Sequence, residues 1–449
     1  MRVLPVYAYH LILRQKALLA NLTITEHKPV PVAAFVLPAR STCGLVILLV
    51  LALFTPIALF GAQPEYVVIG DVHGAFDNFV AILQKTGIID HDHHWTGGNI
   101  TLVQVGDLLD RGPKPRQTMD LIMALQSEAQ KAGGRVVELL GNHEIMNIMG
   151  DLRYVTPENY AAFADTKSEE RRQSAWQKFV KWRNQHEALA AELPPSLNPT
   201  DAQWMAQHPA GFVEHREAFS PNGKYGKWLR GHSAVAKLGS VVFLHGGLDS
   251  TVANMGLDGI NVRIHDEINQ FDTTRRYLEE QQLVLPFFTL QEITAVVQAQ
   301  VHLEQKNGIA SSQQLQSVIA PFLQLSSWLS MSANSPVWFR GYDEWTDDEG
   351  APQIAKILQL CDAKSIVVGH TVQKNGQIRS RFNGKVFLID TGMLSSYFPG
   401  GKASALEIGR DREIAAEYMD NRVVLLPPAT APRTGAGVGS SEPGVSGTN

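Results

Sequence analysis

Five short apolar runs, each closed by glycine and by side chains able to bind metal or phosphate, recur along the 449 residues. They read YVVIGDVHG from Tyr66, ITLVQVGDLLDRG from Ile100, VVELLGNHE from Val136, VVFLHGG from Val241 and SIVVGHT from Ser365. Their Val, Ile and Leu do not alternate with polar residues, which is the pattern of strands buried on both faces. Helical patterns over 78–86 and 116–130 separate the first three runs. Strand, loop, helix, strand at these lengths is a βαβ succession around a largely parallel sheet, and such sheets gather chemistry at the carboxyl ends of their strands. All five polar clusters fall there. The expected fold class is α/β, with the later runs KVFLID and ALEIG completing a second sheet.

Two long stretches interrupt the strands. Residues 156–191 read as helix, with Trp176, Phe179 and Trp182 on one face at core spacing, before PPSLNPT breaks the pattern. Residues 258–329 are again helical. Helical cap insertions over about 156–230 and 258–329 are the expectation, inside a catalytic domain spanning 63–426. The tail over 427–449 is Pro, Gly and Ser without apolar anchors and reads as disordered. At the other end, Leu45 to Ala62 is one long apolar run. Arg40 precedes it, and no Lys or Arg follows before Lys85. That asymmetry sends the following chain out of the cytoplasm. Residues 1–62 read as a leader, a cleaved secretory signal in preference to a retained anchor. The domain is thus expected to be exported, periplasmic or secreted, or held outside the cytoplasm by 45–62, its one expected membrane contact. With a net charge of -5 and no Lys/Arg-rich block, the footprint of a nucleic-acid binder is missing. Two cysteines, Cys43 and Cys361, cannot make a disulfide framework.

The strand ends together offer Asp71, His73, Asp107, Asp110, Arg111, Asn142, His143, His245 and His370. Oxygen and nitrogen donors without a thiolate suit Mn, Fe or Zn. Six of these side chains suffice for two metals with one bridging carboxylate, an arrangement that clamps the attacking and leaving oxygens of a phosphoryl displacement. Each cluster alone has a plainer reading as a capped turn, a surface ion-pair group or a packed histidine. Five in succession, each after a buried strand, point to a metal-dependent phosphoesterase. By contrast, DHDHHWTGG from Asp90 lies at the amino end of a strand and reads as a solvated loop.

The set GDVHG, GDLLDRG, GNHE, HGG and GHT resembles the calcineurin-like metallophosphoesterases, and within them the phosphoprotein phosphatase group. GNHEIMNIMGDLRYV and PVWFRGY look like its Shewanella-like branch. The resemblance covers residues 66–407. It implies a two-sheet sandwich flanked by helices. It also implies that Asp71 and His73 bind one metal, that Asp107 bridges, and that Asn142, His245 and His370 bind the second. His143 is then the general acid, oriented by Asp110, and Arg111 and Arg340 grip phosphate. Arg340 is placed less directly, beyond a long helical stretch, but the apolar VWF before it offers a rigid anchor. Gly341 after it permits a close turn, and a guanidinium offers a planar fork. The Ser-Ala-Pro-Asn-Tyr loop of eukaryotic Ser/Thr enzymes is absent. IDTGMLSSYFPG stands in its place, so Ser/Thr preference does not transfer.

The expected activity is hydrolysis of phosphomonoesters on protein or peptide, at Tyr or Ser/Thr, by attack of metal-activated hydroxide. The alternatives are nucleotides, dinucleoside polyphosphates or small phosphomonoesters as substrate. In another class lies an inactive binding module on the same fold, although no expected position is missing.

Overall fold

A computed structural model describes residues 65–308 and 313–429. The leader expected over 1–62 and residues 430–449 of the expected tail lie outside the described residues. Among those described, no helix is long and apolar enough to cross a membrane.

Eleven strands form two mixed sheets among the described residues. They are β1 (Tyr66–Ile69), β2 (Thr101–Gln104), β3 (Arg135–Glu138), β4 (Val235–Leu238), β5 (Val241–Leu244), β6 (Ser365–Val368), β7 (Arg379–Arg381), β8 (Val386–Leu388), β9 (Ser404–Ile408), β10 (Ile414–Tyr418) and β11 (Arg422–Leu426). The six-stranded sheet runs β11-β10-β9-β1-β2-β3 and the five-stranded sheet β4-β5-β6-β8-β7. Each of the five sequence runs supplies one strand of a parallel centre, β1-β2-β3 in one sheet and β5-β6 in the other. KVFLID supplies β8 beside β6, as expected. ALEIG does not join it. As part of β9 it pairs antiparallel with β1 in the six-stranded sheet. An apolar run shows that a strand will be buried, but not beside which neighbour. Here β9 and β10 form a hairpin that covers the free edge of β1.

Val68, Val103, Phe243, Val367, Phe387 and Leu406 pack as one buried cluster drawn from both sheets. Burial of each such side chain contributes about 1.5–3 kcal/mol. Three helices follow the first strands: α1 (Phe76–Lys85), α2 (Pro115–Ala132) and α3 (Asn142–Met149). In α2, Pro115 opens the helix and Gly133, at φ 83°, closes it in the left-handed conformation. All eight residues of α3 are buried, because the helical inserts close over it.

The first insert holds six α-helices between Pro157 and Leu229, and the second runs from Leu257 through three helices to Phe322. Phe179 and Trp182 are buried as expected, and Trp176 stacks on Phe179. The threonine ending PPSLNPT, Thr200, starts the next helix by capping Gln203 N. Both inserts bond to the C-terminal end of α3: Arg216 Nη1 donates to Asn147 O at 3.3 Å, and Leu290 N donates to Gly150 O at 2.9 Å.

Candidate metal and phosphate centre

The backbone leaves β1 and β2 in unusual conformations. His73, Asp107, Asp110 and Arg111 all have φ between 50° and 67°. L-residues adopt this left-handed region at a cost, which functional sites often carry. The two loops after β2 and β3 touch. A Cβ on Gly106, at φ 97°, would lie 2.4 Å from Gly141 N, so only glycine permits this approach. Glu144 ties the same loops together: its carboxylate accepts from Asp107 N, Leu108 N and Gly141 N at 2.7, 2.9 and 2.8 Å. Its role is structural, as a buried clip at the start of α3. Burial, with Asp107 nearby, pushes its carboxyl up to about 7.

Around Asp107 the expected ligands converge. Its Oδ2 lies 3.2 Å from His245 Nε2, 3.6 Å from His73 Nε2 and 3.8 Å from His143 Nε2. His245 Nε2 also meets Asn142 Oδ1 at 2.9 Å and His370 Nδ1 at 3.2 Å. Asp71 Oδ2 sits 3.8 Å from His73 Nε2, and its Oδ1 accepts from His370 N at 2.9 Å. Two groups of potential ligands, His73–Asp107–His143 and Asp107–His245–His370, therefore share Asp107. All six expected ligands are buried.

The donor set fits divalent cations, and the unused ring nitrogens show why. His73 Nδ1 lies 3.0 Å from Leu109 O, His245 Nδ1 3.0 Å from Val105 O, and His370 Nε2 3.1 Å from Trp338 O. A carbonyl can only accept, so each of these nitrogens carries the proton. The other nitrogen of each ring is turned toward the cluster and is the one that would offer its lone pair to a cation, the usual arrangement of a ligating histidine. The two carboxylates are pushed in opposite directions. Burial, together with Asp390, holds the Asp71 carboxyl well above its ordinary range. Burial also works to raise Asp107, but the surrounding imidazoles, led by His245 and His143, outweigh it and hold it well below. Burial and the Arg111 guanidinium hold His73 well below the usual imidazole value.

His143 is arranged differently. Its Nδ1 lies 2.8 Å from Asp110 Oδ2, and Asn147 Nδ2 donates to the same carboxylate oxygen at 2.9 Å. A carboxylate on Nδ1 fixes the tautomer and leaves Nε2 for a reacting group. Arg111 faces the cluster, with Nη1 2.7 Å from His73 Nε2 and Nη2 3.2 Å from His143 Nε2. Arg340 reaches the rim, where Nη1 donates to His370 O and Thr371 Oγ1, both at 3.2 Å. All ten expected site residues thus meet in one place. The His-rich loop from Asp90 does not: Asp90 Oδ1 caps its own turn through Asp92 N and His94 N.

Sequence reasoning missed several participants. Asp390 is buried beside Asp71. Its Oδ1 accepts from Gly392 N, its Oδ2 has no hydrogen-bond partner, and burial pushes its carboxyl up to about 6. The signal was present: Asp390 ends KVFLID and Gly392 follows. Asn147 supports Asp110. Tyr154, Tyr397 and Phe398 surround Arg111 with ring centroids 5.5, 5.1 and 5.3 Å from its Cζ. Nothing in spacing singles out those three rings.

Comparison with known proteins agrees with this geometry. The calcineurin-like phosphoesterase family profile matches residues 65–374. Shewanella-like protein phosphatase 2 of Arabidopsis thaliana is 29% identical over 360 residues, 78% of this chain and 76% of the relative. Shewanella-like protein phosphatase 1 of Plasmodium berghei is 26% identical over 73% of this chain and 67% of its own length. Among solved structures, a point mutant of a cold-active protein tyrosine phosphatase superposes with a TM-score of 0.50 at 24% identity, covering 81% and 80% of the two chains, a likeness of fold. With the profile spanning most of the chain and the cluster assembled at its strand ends, this protein belongs to the calcineurin-like phosphoesterase family and is a metal-dependent phosphatase.

Proposed function

We propose that the protein is a two-metal phosphomonoesterase acting on phosphorylated protein or peptide, with phosphotyrosine preferred over phosphoserine and phosphothreonine. Asp71, His73 and Asp107 would hold one cation, and Asp107, Asn142, His245 and His370 the other. Bound there, two divalent cations supply Lewis-acid neutralisation of phosphate charge and lower the pKa of a water molecule. The chain's own groups do the rest. Arg111 and Arg340 bind the phosphate oxygens and offset the charge that grows on them. His143 Nε2 gives its proton to the departing ester oxygen, and Asp110, held by Asn147, keeps the ring in the orientation that permits this.

The observation that carries the substrate class is the ring of Tyr154, Tyr397 and Phe398 around the Arg111 guanidinium. A phosphate gripped by Arg111 brings its ester group between these rings, where an aryl group stacks and an alkyl group does not. The names of the two relatives, both protein phosphatases, support phosphorylated protein as the substrate. We further propose that the domain works outside the cytoplasm, on the charge asymmetry around residues 45–62.

The test is a substrate panel: phosphotyrosine, phosphoserine and phosphothreonine peptides of one sequence, a dinucleoside tetraphosphate and p-nitrophenyl phosphate. Mn, Fe or Zn is restored after chelation. Phosphotyrosine peptide should lead in kcat/KM by about tenfold, and Tyr397→Ala with Phe398→Ala should erase that lead. A dinucleoside tetraphosphate turned over faster than every peptide would sink the reading.

A further inference from the structure

The pole of the sandwich opposite the metal cluster, where β1, β5 and β6 begin, holds a cavity of about 360 Å³. One wall is a continuous row across four strands. Tyr66 on β1 pairs with Ile408 on β9, Ile408 with Ile414 on β10, and Ile414 with Leu426 on β11. Facing it, on the other sheet, Val241 pairs with Ser365. Ile408, Ile414 and Val241 are buried and form the apolar part of the interior, beside Ser240 and Ser365.

The mouth is charged. Lys364, just before β6, and Arg410 and Arg412, in the β9–β10 turn, line the same cavity. Asp411 between the arginines is occupied with the turn itself: its Oδ1 accepts from Glu413 N at 3.0 Å and its carbonyl from Ala429 N at 3.0 Å. The three cations have no side-chain hydrogen bond or ion pair among the described residues. Nearby Arg422 shows the contrast, paired with both Glu407 and Glu413. Glu65 is the single carboxylate on the lining, and it accepts from Tyr66 Oη at 3.1 Å. An apolar slot with surplus positive charge at its lip matches one kind of ligand.

We infer that this cavity binds an amphiphilic anion, with its carboxylate or phosphate head between Lys364 and the two arginines and its hydrocarbon along the Tyr66–Leu426 row. The head gains charge-assisted hydrogen bonds from otherwise unpaired cations. The tail removes apolar surface from water at about 25 cal/mol per Å². The site is separate from the phosphatase centre, because the length of the strands lies between them. Its ligand is either a free amphiphile or the headgroup and upper chain of a lipid. In sequence only Gln63 and Pro64 separate Glu65 from the apolar run ending at Ala62, which makes a vesicle one of the necessary probes.

Titration calorimetry on the full-length protein tests this with decanoate, decyltrimethylammonium and inorganic phosphate, alongside sedimentation with phosphatidylglycerol or phosphatidylcholine vesicles. Decanoate should bind saturably, one per chain, the cationic amphiphile should not bind, and inorganic phosphate, which occupies the phosphatase centre, should leave decanoate affinity unchanged. Arg410→Ala with Arg412→Ala should weaken decanoate binding at least tenfold and leave p-nitrophenyl phosphate turnover unchanged. Phosphatidylglycerol vesicles that retain the wild type but release the double variant assign the head to a lipid. Decanoate binding without vesicle retention assigns it to a free amphiphile. Absence of saturable binding to decanoate and to anionic vesicles alike overturns the inference, as does unchanged decanoate affinity in the double variant. Displacement of decanoate by an equal concentration of inorganic phosphate also overturns it, since the slot would then contribute nothing.

Discussion

Histidines are buried in two regions of this molecule, with different partners. At the strand ends, His73, His245 and His370 each give one ring nitrogen to a backbone carbonyl and turn the other on carboxylates, amides and each other. In the first helical insert, His208 lies flat on Trp204, with centroids 4.1 Å apart. His215 is enclosed by Tyr160, Phe163 and Phe219 at 5.4, 4.9 and 4.7 Å, with no hydrogen-bond partner on Nδ1. Burial pushes His215 down to about 3 and His208 down to about 4. For His245 burial works in the same direction, yet Asp107 and Asp71 overcome it and raise the ring to about 9. Burial alone makes an imidazole a neutral aromatic plate. Beside Asp107 and Asp71 the His245 ring instead favours positive charge, while His73 and His370 stay neutral like the insert histidines but face the carboxylates with one nitrogen.

The most damaging way to probe that contrast is Asp107→Asn, which removes the carboxylate common to both ligand groups. Both metals should be lost from the purified protein and turnover should fall to the detection limit. Two tightly held metals with normal rates would show that Asp107 bridges nothing. Next in size is His143→Asn. Loss of a positioned acid should lower kcat by about 10²–10⁴-fold for a peptide substrate with little change in KM. The deficit should shrink for p-nitrophenyl phosphate, whose leaving group needs little protonation. Equal deficits for both substrates would remove His143 from proton transfer.

A third experiment moves to the insert. His208 and His215 have folded values below the ordinary imidazole value near 6.5, so the unfolded chain binds more protons as pH falls through about 6. Their contribution is therefore intact above about pH 6.5 and is lost on acidification, by about 2 kcal/mol each at pH 5. Hydrogen exchange should find the helices Asp201–Gln207 and Phe212–Ala218 opening at pH 5 while β1, β2 and β5 stay protected. Phe substituted for His215 should delay that opening. Simultaneous opening of insert and sheets would erase the distinction between the two regions. The smallest expected effect is Arg340→Lys. It keeps the charge and loses the fork that reaches His370 O and Thr371, so kcat/KM and inhibition by free phosphate should weaken together, by about tenfold. Unchanged phosphate inhibition would make Arg340 a packing residue.

The same contrast explains what was legible in the sequence. The centre is built from contiguous words, because a strand end followed by glycine displays its neighbours in order. Asp71 with His73, Asp107 with Asp110 and Arg111, and Asn142 with His143 could be read directly. Even there, Asp390 escaped notice, since an aspartate after a short strand has many ordinary uses. Its significance depends on Asp71, more than 300 positions earlier. Strand partners were harder. β8 and β9 look alike as sequences but lie in different sheets, because the free edge of β1 is a property of the assembled fold. The aromatic ring around Arg111 was least visible, as Tyr154, Tyr397 and Phe398 come from two distant loops.

Asp71 Oδ1 accepts the amide of His370, a bond spanning 299 residues. A ribosome adding roughly 5–20 residues per second would need about 15–60 s to travel between them. Through that interval the nascent protein gains Asp107, Asn142 and then His245 beside Asp71 and His73, but lacks the imidazole of His370 until its end. Its half-built pocket should hold cations weakly and exchange them freely. Metal selection should thereby be deferred to the end of synthesis, and the ion retained should reflect the surroundings in which the finished chain closes, which metal analysis of protein refolded in different metal mixtures would check.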